Sequence, residues 1–417
     1  MAISLHTPFL YICLLSLFSA IAGFRINHLF HGRARVDPDV NRNASQLITS
    51  KDFPCEEYSV QTKDGFILGL QRIPFGRKES KYTPRPVVFL QHGLLASSTN
   101  WLTNLVNESF AYLLADAGFD VWLGNMRGNT YSKKHIKYKP DQVEFWHWSW
   151  DEMAKYDLPA MLNFVLKVTK QQDLFYVGHS QGTTIAFAEF SRNFELASKV
   201  KMFYALAPVT RVSDMVSPLR YLTTFLPEIK FLFDILGEGE FMPNNEFVKW
   251  LAQDFCPITE LICSNVLFVI CGYDAKNLNM TRLPVYFSHD PDGTSVMDVV
   301  HYAQMVESGT FQMYDYGYAG NMKVYNQSTP PLYHPEAMRT PVSLYWGVND
   351  WLADPKDVHW LIPLLNKTLQ ANVMLSDYDH LDFIWGMDAA TRVYQPIISD
   401  LRKRSSVMPK HRNYQSW

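Results

Sequence analysis

The chain has 417 residues, 47% of them hydrophobic, 14% aromatic and 19% charged, with a net charge of -3. That length allows two or three domains or one large α/β domain with an insertion, and that composition excludes a disordered polymer or a collagen-like fibre. The near-neutral charge provides no global field to gather nucleic acid, so a small or neutral substrate is expected instead.

The first residues differ from the rest. Pro8 to Ala22 is an apolar run that ends in Ala20-Ile21-Ala22, the small-residue pattern of a signal-peptidase site, so residues 1–22 are expected to be a signal peptide. His6 is the only basic residue before that run, and an uncleaved anchor is the alternative. No later segment is an unbroken apolar run long enough to span a bilayer, so the mature chain is expected to be soluble and secretory. Besides Cys13 there are Cys55, Cys256, Cys263 and Cys271, too few for a disulfide scaffold and lacking the paired spacing of a zinc site. Cys256 and Cys263 are closest in sequence and form the candidate disulfide, whereas Cys271 reads as a free buried thiol. Five Asn-x-Ser/Thr sequons stand at Asn43, Asn107, Asn279, Asn326 and Asn366, as suits a glycoprotein. Beyond Asp400 the tail is basic, with Arg402, Lys403, Arg404, Lys410 and Arg412, and reads as a frayed terminus.

From about residue 86 short apolar runs alternate with helical patterns. Val87 to Leu90 ends at His92-Gly93, a helix is expected from Phe110 to Ala117, and Asp120 to Leu123 ends at Gly124. Asp157-Leu158-Pro159 reads as the start of another helix, with Asp157 as its N-cap. Leu174 to Val177 then runs into Gly178-His179-Ser180-Gln181-Gly182, followed by a helix from Thr183 to Arg192. Strand, tight glycine-flanked turn and helix is the context in which G-x-S-x-G forms a nucleophile elbow, which makes Ser180 the expected nucleophile.

A serine hydroxyl needs an imidazole to take its proton and a carboxylate to orient that imidazole. In the order Ser, Asp, His, the late histidines are His359, His380 and His411. Only His380 follows a strand-like run, Asn372 to Leu375. Pro341 to Trp346 reads as the strand before the acid, and Asp350 lies in its turn, with Asp354 and Asp357 as rivals. Asp354, which precedes Pro355 and a helical run, reads as an N-cap. Asp379 and Asp382 are read as loop or surface carboxylates. The N–H groups of Leu94 and Gln181 occupy the two places from which an oxyanion is held.

The chain resembles the animal acid lipases, the lysosomal acid lipase and gastric lipase group of the α/β-hydrolase fold. The likeness runs through Phe53-Pro54-Cys55-Glu56-Glu57-Tyr58, Gln91-His92-Gly93-Leu94-Leu95, Gly124-Asn125-Met126-Arg127-Gly128-Asn129, Asp151 to Asp157, Gly178 to Thr184 and Asp379-His380-Leu381-Asp382-Phe383-Ile384-Trp385. It implies a mostly parallel sheet with helices on both faces and an inserted cap. The core would occupy residues 23–208 and 341–400, the cap 209–340 and the basic tail 401–417. It implies triacylglycerol or cholesteryl ester hydrolysis at a lipid–water interface by Ser180, Asp350 and His380. No cofactor, metal, nucleic acid or obligate protein partner is implied, and the chain would be secreted or lysosomal. Met126 stands where the family usually has serine, and Cys256 and Cys263 are closer together than the family pattern. Apolar residues from Phe225 to Leu236 read as cap core or lid, and Trp146, Trp148 and Trp150 as packing. A membrane-anchored steryl esterase and a non-catalytic lipid-binding homologue are the competing readings.

Overall fold

The computed structural model describes residues 37–78, 83–220, 239–241, 271–272 and 276–406. The expected signal segment, Cys256, Cys263, His411 and the apolar stretch from Phe225 to Leu236 lie outside them.

Eight strands form the path β1-β2-β4-β3-β6-β7-β10-β11, and the short β5 (Lys134–His135) pairs with β2. The first two, β1 (Glu56–Gln61) and β2 (Phe66–Ile73), make an antiparallel ribbon that joins β4 (Asp120–Gly124), also antiparallel. From β4 onward, β3 (Val87–Gln91), β6 (Leu174–His179), β7 (Val200–Leu206), β10 (Val342–Gly347) and β11 (Leu369–Leu375) are parallel. Every residue of β3, β4, β6 and β10 is buried, as expected of parallel strands covered on both faces. The outermost strands β1 and β11 alternate in burial along their length, which marks them as edges.

The crossovers include α1 (Phe110–Asp116), α2 (Leu158–Thr169) and α3 (Gln181–Phe190). Although β7 and β10 are hydrogen-bonded neighbours, well over a hundred residues separate them in sequence. The described part of that insertion holds α4 (Leu283–His289), α5 (Val296–Ser308) and α6 (Gly317–Tyr325). It also holds a two-stranded ribbon of β8 (Glu240–Phe241) and β9 (Thr294–Ser295). Arg282, at the start of α4, ties the insertion to the early chain, pairing with Asp37 at 2.9 Å and Asp39 at 3.1 Å. Asp39 also receives Arg42 and Lys51, and these cations hold its carboxyl down to about 2 against the opposing effect of burial.

Two local expectations change. Asp157 does not cap α2: it ends a wide helical turn, Met153–Asp157, and makes no cap hydrogen bond. Its buried carboxylate instead binds Arg127 through Nη2 at 2.6 Å and Nε at 2.9 Å, because a fully buried guanidinium leaves no cheaper place for it. The basic run after Asp400 is not frayed at its start, since α8 (Gln395–Ser406), which follows α7 (Pro355–Leu364), carries Arg402, Lys403 and Arg404, while Lys410 and Arg412 lie outside the described residues. Leu401 is buried on that helix and Arg404 pairs with Asp400 one turn back. Asp354 caps α7 as expected, accepting from the Lys356 N–H at 2.8 Å. Trp146, Trp148 and Trp150 are all buried, with Trp150 stacked on His301 at 4.2 Å.

Arg127 also reaches Asp64 at 2.7 Å and lies over the Phe66 ring at 4.2 Å. Arg127→Met would strand the Asp157 carboxylate in the core, and we expect it to cost about 3–5 kcal/mol. Chemical denaturation would measure that loss, and adding Asp157→Leu should restore part of it.

Candidate active site

Register places the site. Gln91 pairs with Gly178, His179 with Leu206 and Gly347 with Leu375, so the turns after β3, β6, β10 and β11 open at one carboxyl edge of the sheet. These four turns hold Leu94, Ser180, Asp350 and His380, and an α/β sheet gathers its ligands at this edge.

Ser180 occupies the turn between β6 and α3 with φ 53° and ψ -119°, a conformation that L-residues rarely adopt. The flanking glycines make it possible. A Cβ on Gly182 would sit 2.5 Å from the Gln91 carbonyl oxygen, and one on Gly178 would sit 2.7 Å from Gly182 backbone atoms. The turn presents the Ser180 Oγ to His380 Nε2 at 2.8 Å, and His380 Nδ1 lies 2.9 and 3.0 Å from the two oxygens of Asp350. Asp350 also accepts from the N–H groups of Leu352 at 2.9 Å and Ala353 at 2.8 Å, which fix its carboxylate plane. Of the rival histidines, His359 is exposed on α7 and turned to the Pro355 carbonyl. Asp379 and Asp382 are not surface groups: both are buried because they cap the His380 turn. Asp379 accepts from the N–H groups of Leu381 and Asp382, and Asp382 accepts from that of Asp379.

The expected oxyanion donors flank Ser180. Gln181 opens α3, where the first N–H groups of a helix have no intrahelical acceptor. Across from it, a Cβ on Gly93 would meet the Ser180 Cβ at 3.0 Å, so the Gly93–Leu94 backbone passes directly beside the serine.

Two buried histidines whose positioning roles were not read from the sequence set this geometry. His92 accepts from the Met126 N–H at Nε2 (3.1 Å), so its proton sits on Nδ1 and donates to the Gly93 carbonyl at 2.8 Å. In a trans peptide the carbonyl and the next N–H point oppositely, so this bond turns the Leu94 N–H away from His92. Met126 thus reaches the site through its backbone, a contact that does not depend on which side chain stands there. His179 Nε2 lies 3.0 Å from the His380 carbonyl and holds the loop of the base. Their only sequence signal is adjacency to the elbow and to the glycine turn.

Burial lowers His92, His289 and His301 to about 4 and His179 to about 3, which keeps these imidazoles neutral in mild acid. Burial also raises Asp151, Asp292 and Asp298 to about 6, and Asp379, which faces the Asp350 carboxylate as well, to about 7. The two sets have opposite signs. The carboxylates' contribution to stability is full below about pH 4 and is lost as pH rises through 6 to 7; that of the histidines is full above about 6.5 and is lost as pH falls through 4 to 3. Between about pH 4 and 6 the two trends run in opposite directions and offset, and outside that range little remains but His179 below 4 and Asp379 up to about 7, so the melting temperature should stay nearly level from about pH 4 to 7 and fall below 4 as His179 charges. A calorimetric series across pH 3 to 8 that rose steadily to 8 would contradict this.

The sequence matches the family described as the alpha/beta hydrolase fold over residues 86–387, and that described as the partial alpha/beta-hydrolase lipase region over residues 44–105. It is 52% identical to gastric triacylglycerol lipase of Rattus norvegicus over 392 residues, covering 93% of this chain and 98% of the relative. It is 50% identical to lysosomal acid lipase/cholesteryl ester hydrolase of Homo sapiens over 372 residues, covering 88% and 92%. A solved structure from Sulfolobus solfataricus shares the fold at 16% identity with a TM-score of 0.56, covering 85% of this chain and 95% of that one. Among the described residues no helix is long and apolar enough to cross a membrane. The chain belongs to the acid lipase family of the α/β-hydrolase fold and is a carboxylic ester hydrolase.

Proposed function

We propose that this chain hydrolyses the ester bonds of neutral lipids, triacylglycerols and cholesteryl esters, through an acyl-enzyme on Ser180. The observation that carries the reading is the continuous hydrogen-bonded chain from Ser180 Oγ through His380 to Asp350. Ser180 Oγ attacks the ester carbonyl carbon while its proton passes to His380 Nε2, and Asp350 stabilises the imidazolium. The carbonyl oxygen becomes an oxyanion between the Leu94 and Gln181 N–H groups. As the intermediate collapses, His380 returns its proton to the departing alcohol, a glyceride or a sterol. Water activated by His380 then releases the fatty acid and restores the serine. No step calls for a metal or cofactor. The names of the relatives, triacylglycerol lipase and cholesteryl ester hydrolase, support both substrate classes.

The insertion at residues 209–340 is read as a cap over this site that meets the lipid surface transiently. Residues 1–22 are read as a cleaved signal that sends the chain to a secreted or lysosomal destination. Asn43, Asn107, Asn326 and Asn366 are exposed, which supports glycosylation there. Asn279 is half-buried, its Oδ1 accepting from Thr281. Expression in a secretory host should give a mature N-terminus near Gly23 and a mobility shift on glycosidase treatment; retention of Met1 in a membrane fraction would favour the anchored esterase.

Fatty-acid release from emulsified triolein and cholesteryl oleate tests the chemistry. Ser180→Ala should lower turnover by about 10⁴- to 10⁶-fold and Asp350→Asn by about 10⁴-fold, with the fold intact by circular dichroism. A folded wild type that binds both lipids and releases acid from neither would instead be a lipid-binding homologue.

A further inference from the structure

One stretch of the insertion, from Asp292 to Asp298, touches both turns that carry the expected oxyanion donors. At its first end the Asp292 N–H donates to the Leu95 carbonyl at 2.6 Å. The Asp292 carboxylate accepts from the Thr130 N–H at 3.0 Å, the Thr130 hydroxyl at 2.7 Å and the Gly293 N–H at 3.1 Å. Leu95 sits at φ 57°, a left-handed conformation that costs a leucine energy, so the turn bearing the Leu94 N–H is held from outside.

At the other end Asp298, in the first turn of α5, accepts from Gln181 Nε2 through both carboxylate oxygens, at 2.9 and 2.8 Å. Asp298 is wholly buried and Gln181 nearly so, and the carboxylate also takes the Thr294 hydroxyl at 2.7 Å. Its own N–H donates to Ser295 Oγ at 3.0 Å, and that hydroxyl donates to the Trp148 carbonyl at 2.5 Å. Burying a carboxylate is expensive unless its hydrogen bonds repay it, and this one is spent on a side chain adjoining the nucleophile. The start of a helix is also where the backbone is least held by its own hydrogen bonds. Donors to an oxyanion must be preorganised to within a fraction of an ångström.

We propose that Asp298 is a positioning residue for the oxyanion hole: by clamping the Gln181 side chain it fixes the direction of the Gln181 N–H. Together with the Asp292 bond to Leu95, it makes the hole's geometry depend on the seating of one insertion segment. This rests on the assignment of Leu94 and Gln181 under the proposed function.

The test uses the full chain as Asp298→Asn, Gln181→Met, the double variant and Ser180→Ala. Each is assayed for kcat and KM on p-nitrophenyl butyrate, affinity for an alkyl boronic acid that forms a tetrahedral adduct on the serine, and melting temperature. Asp298→Asn and Gln181→Met should each lower kcat about 10-fold or more with little change in KM, and weaken boronate binding by a similar factor. The double variant should lose no more than the worse single, because both remove the same tie. A lowered melting temperature with kcat and boronate affinity at wild-type values would overturn the proposal, as would single effects that multiply in the double variant. Gln181→Met decides alone if Asp298→Asn does not fold, since it cuts the clamp without touching the buried carboxylate. If Ser180→Ala keeps wild-type turnover, the serine reading itself fails; if it is inactive while the other variants turn over normally, only the positioning role falls.

Discussion

A serine forced to φ 53° between a buried strand and a helix is the constraint on which the site is built. Such a conformation costs on the order of 1–3 kcal/mol and persists only where the surroundings over-determine it. Here they do: the Ser180 N–H donates to the Leu206 carbonyl at 3.0 Å, and the Ser180 carbonyl receives the Thr183 and Thr184 N–H groups. The Thr183 hydroxyl donates to that same carbonyl. The gain is directional, because the sharp turn lifts Oγ clear of the sheet while leaving the first N–H of α3 beside it.

The remaining groups converge because strand register brings their turns to the same edge. Asp350 and His380 come from neighbouring strands, and Cys271 ties their loops: its carbonyl accepts from the Trp351 N–H at 3.3 Å and the His380 N–H at 3.4 Å. The site is therefore supported by backbone groups of the insertion as well as by the sheet. Around it, neutral buried histidines and protonatable buried carboxylates carry the polar contacts.

The described part of the insertion is tied to the core at several points. Arg282 anchors one part of it to Asp37 and Asp39, while Asp292 and Asp298 engage the turns beside Ser180. An element that docks by buried charge at one end, and at the other by the Asp292 backbone bond to Leu95 and the Asp298 carboxylate bond to Gln181, links its position to the turns beside Ser180.

Much was legible in the sequence because it rests on short-range physics. Apolar runs that stop at glycine gave the buried parallel strands, Asp354-Pro355 gave a helix start, and the small residues around Ser180 gave the elbow. Strand context separated His380 from His359. Asp157 failed as a cap and Asp379 and Asp382 failed as surface groups for a common reason: a carboxylate's role depends on which distant N–H or guanidinium folding brings to it. Arg127 is 30 residues from Asp157, and Gln181 is 117 residues from Asp298. Local pattern thus determined the elements and which serine, aspartate and histidine turns to compare. Tertiary structure alone decided which buried charges are paired, which histidines stay neutral and which insertion residues hold the turns beside Ser180, since burial and long-range hydrogen bonding arise only when the chain closes on itself.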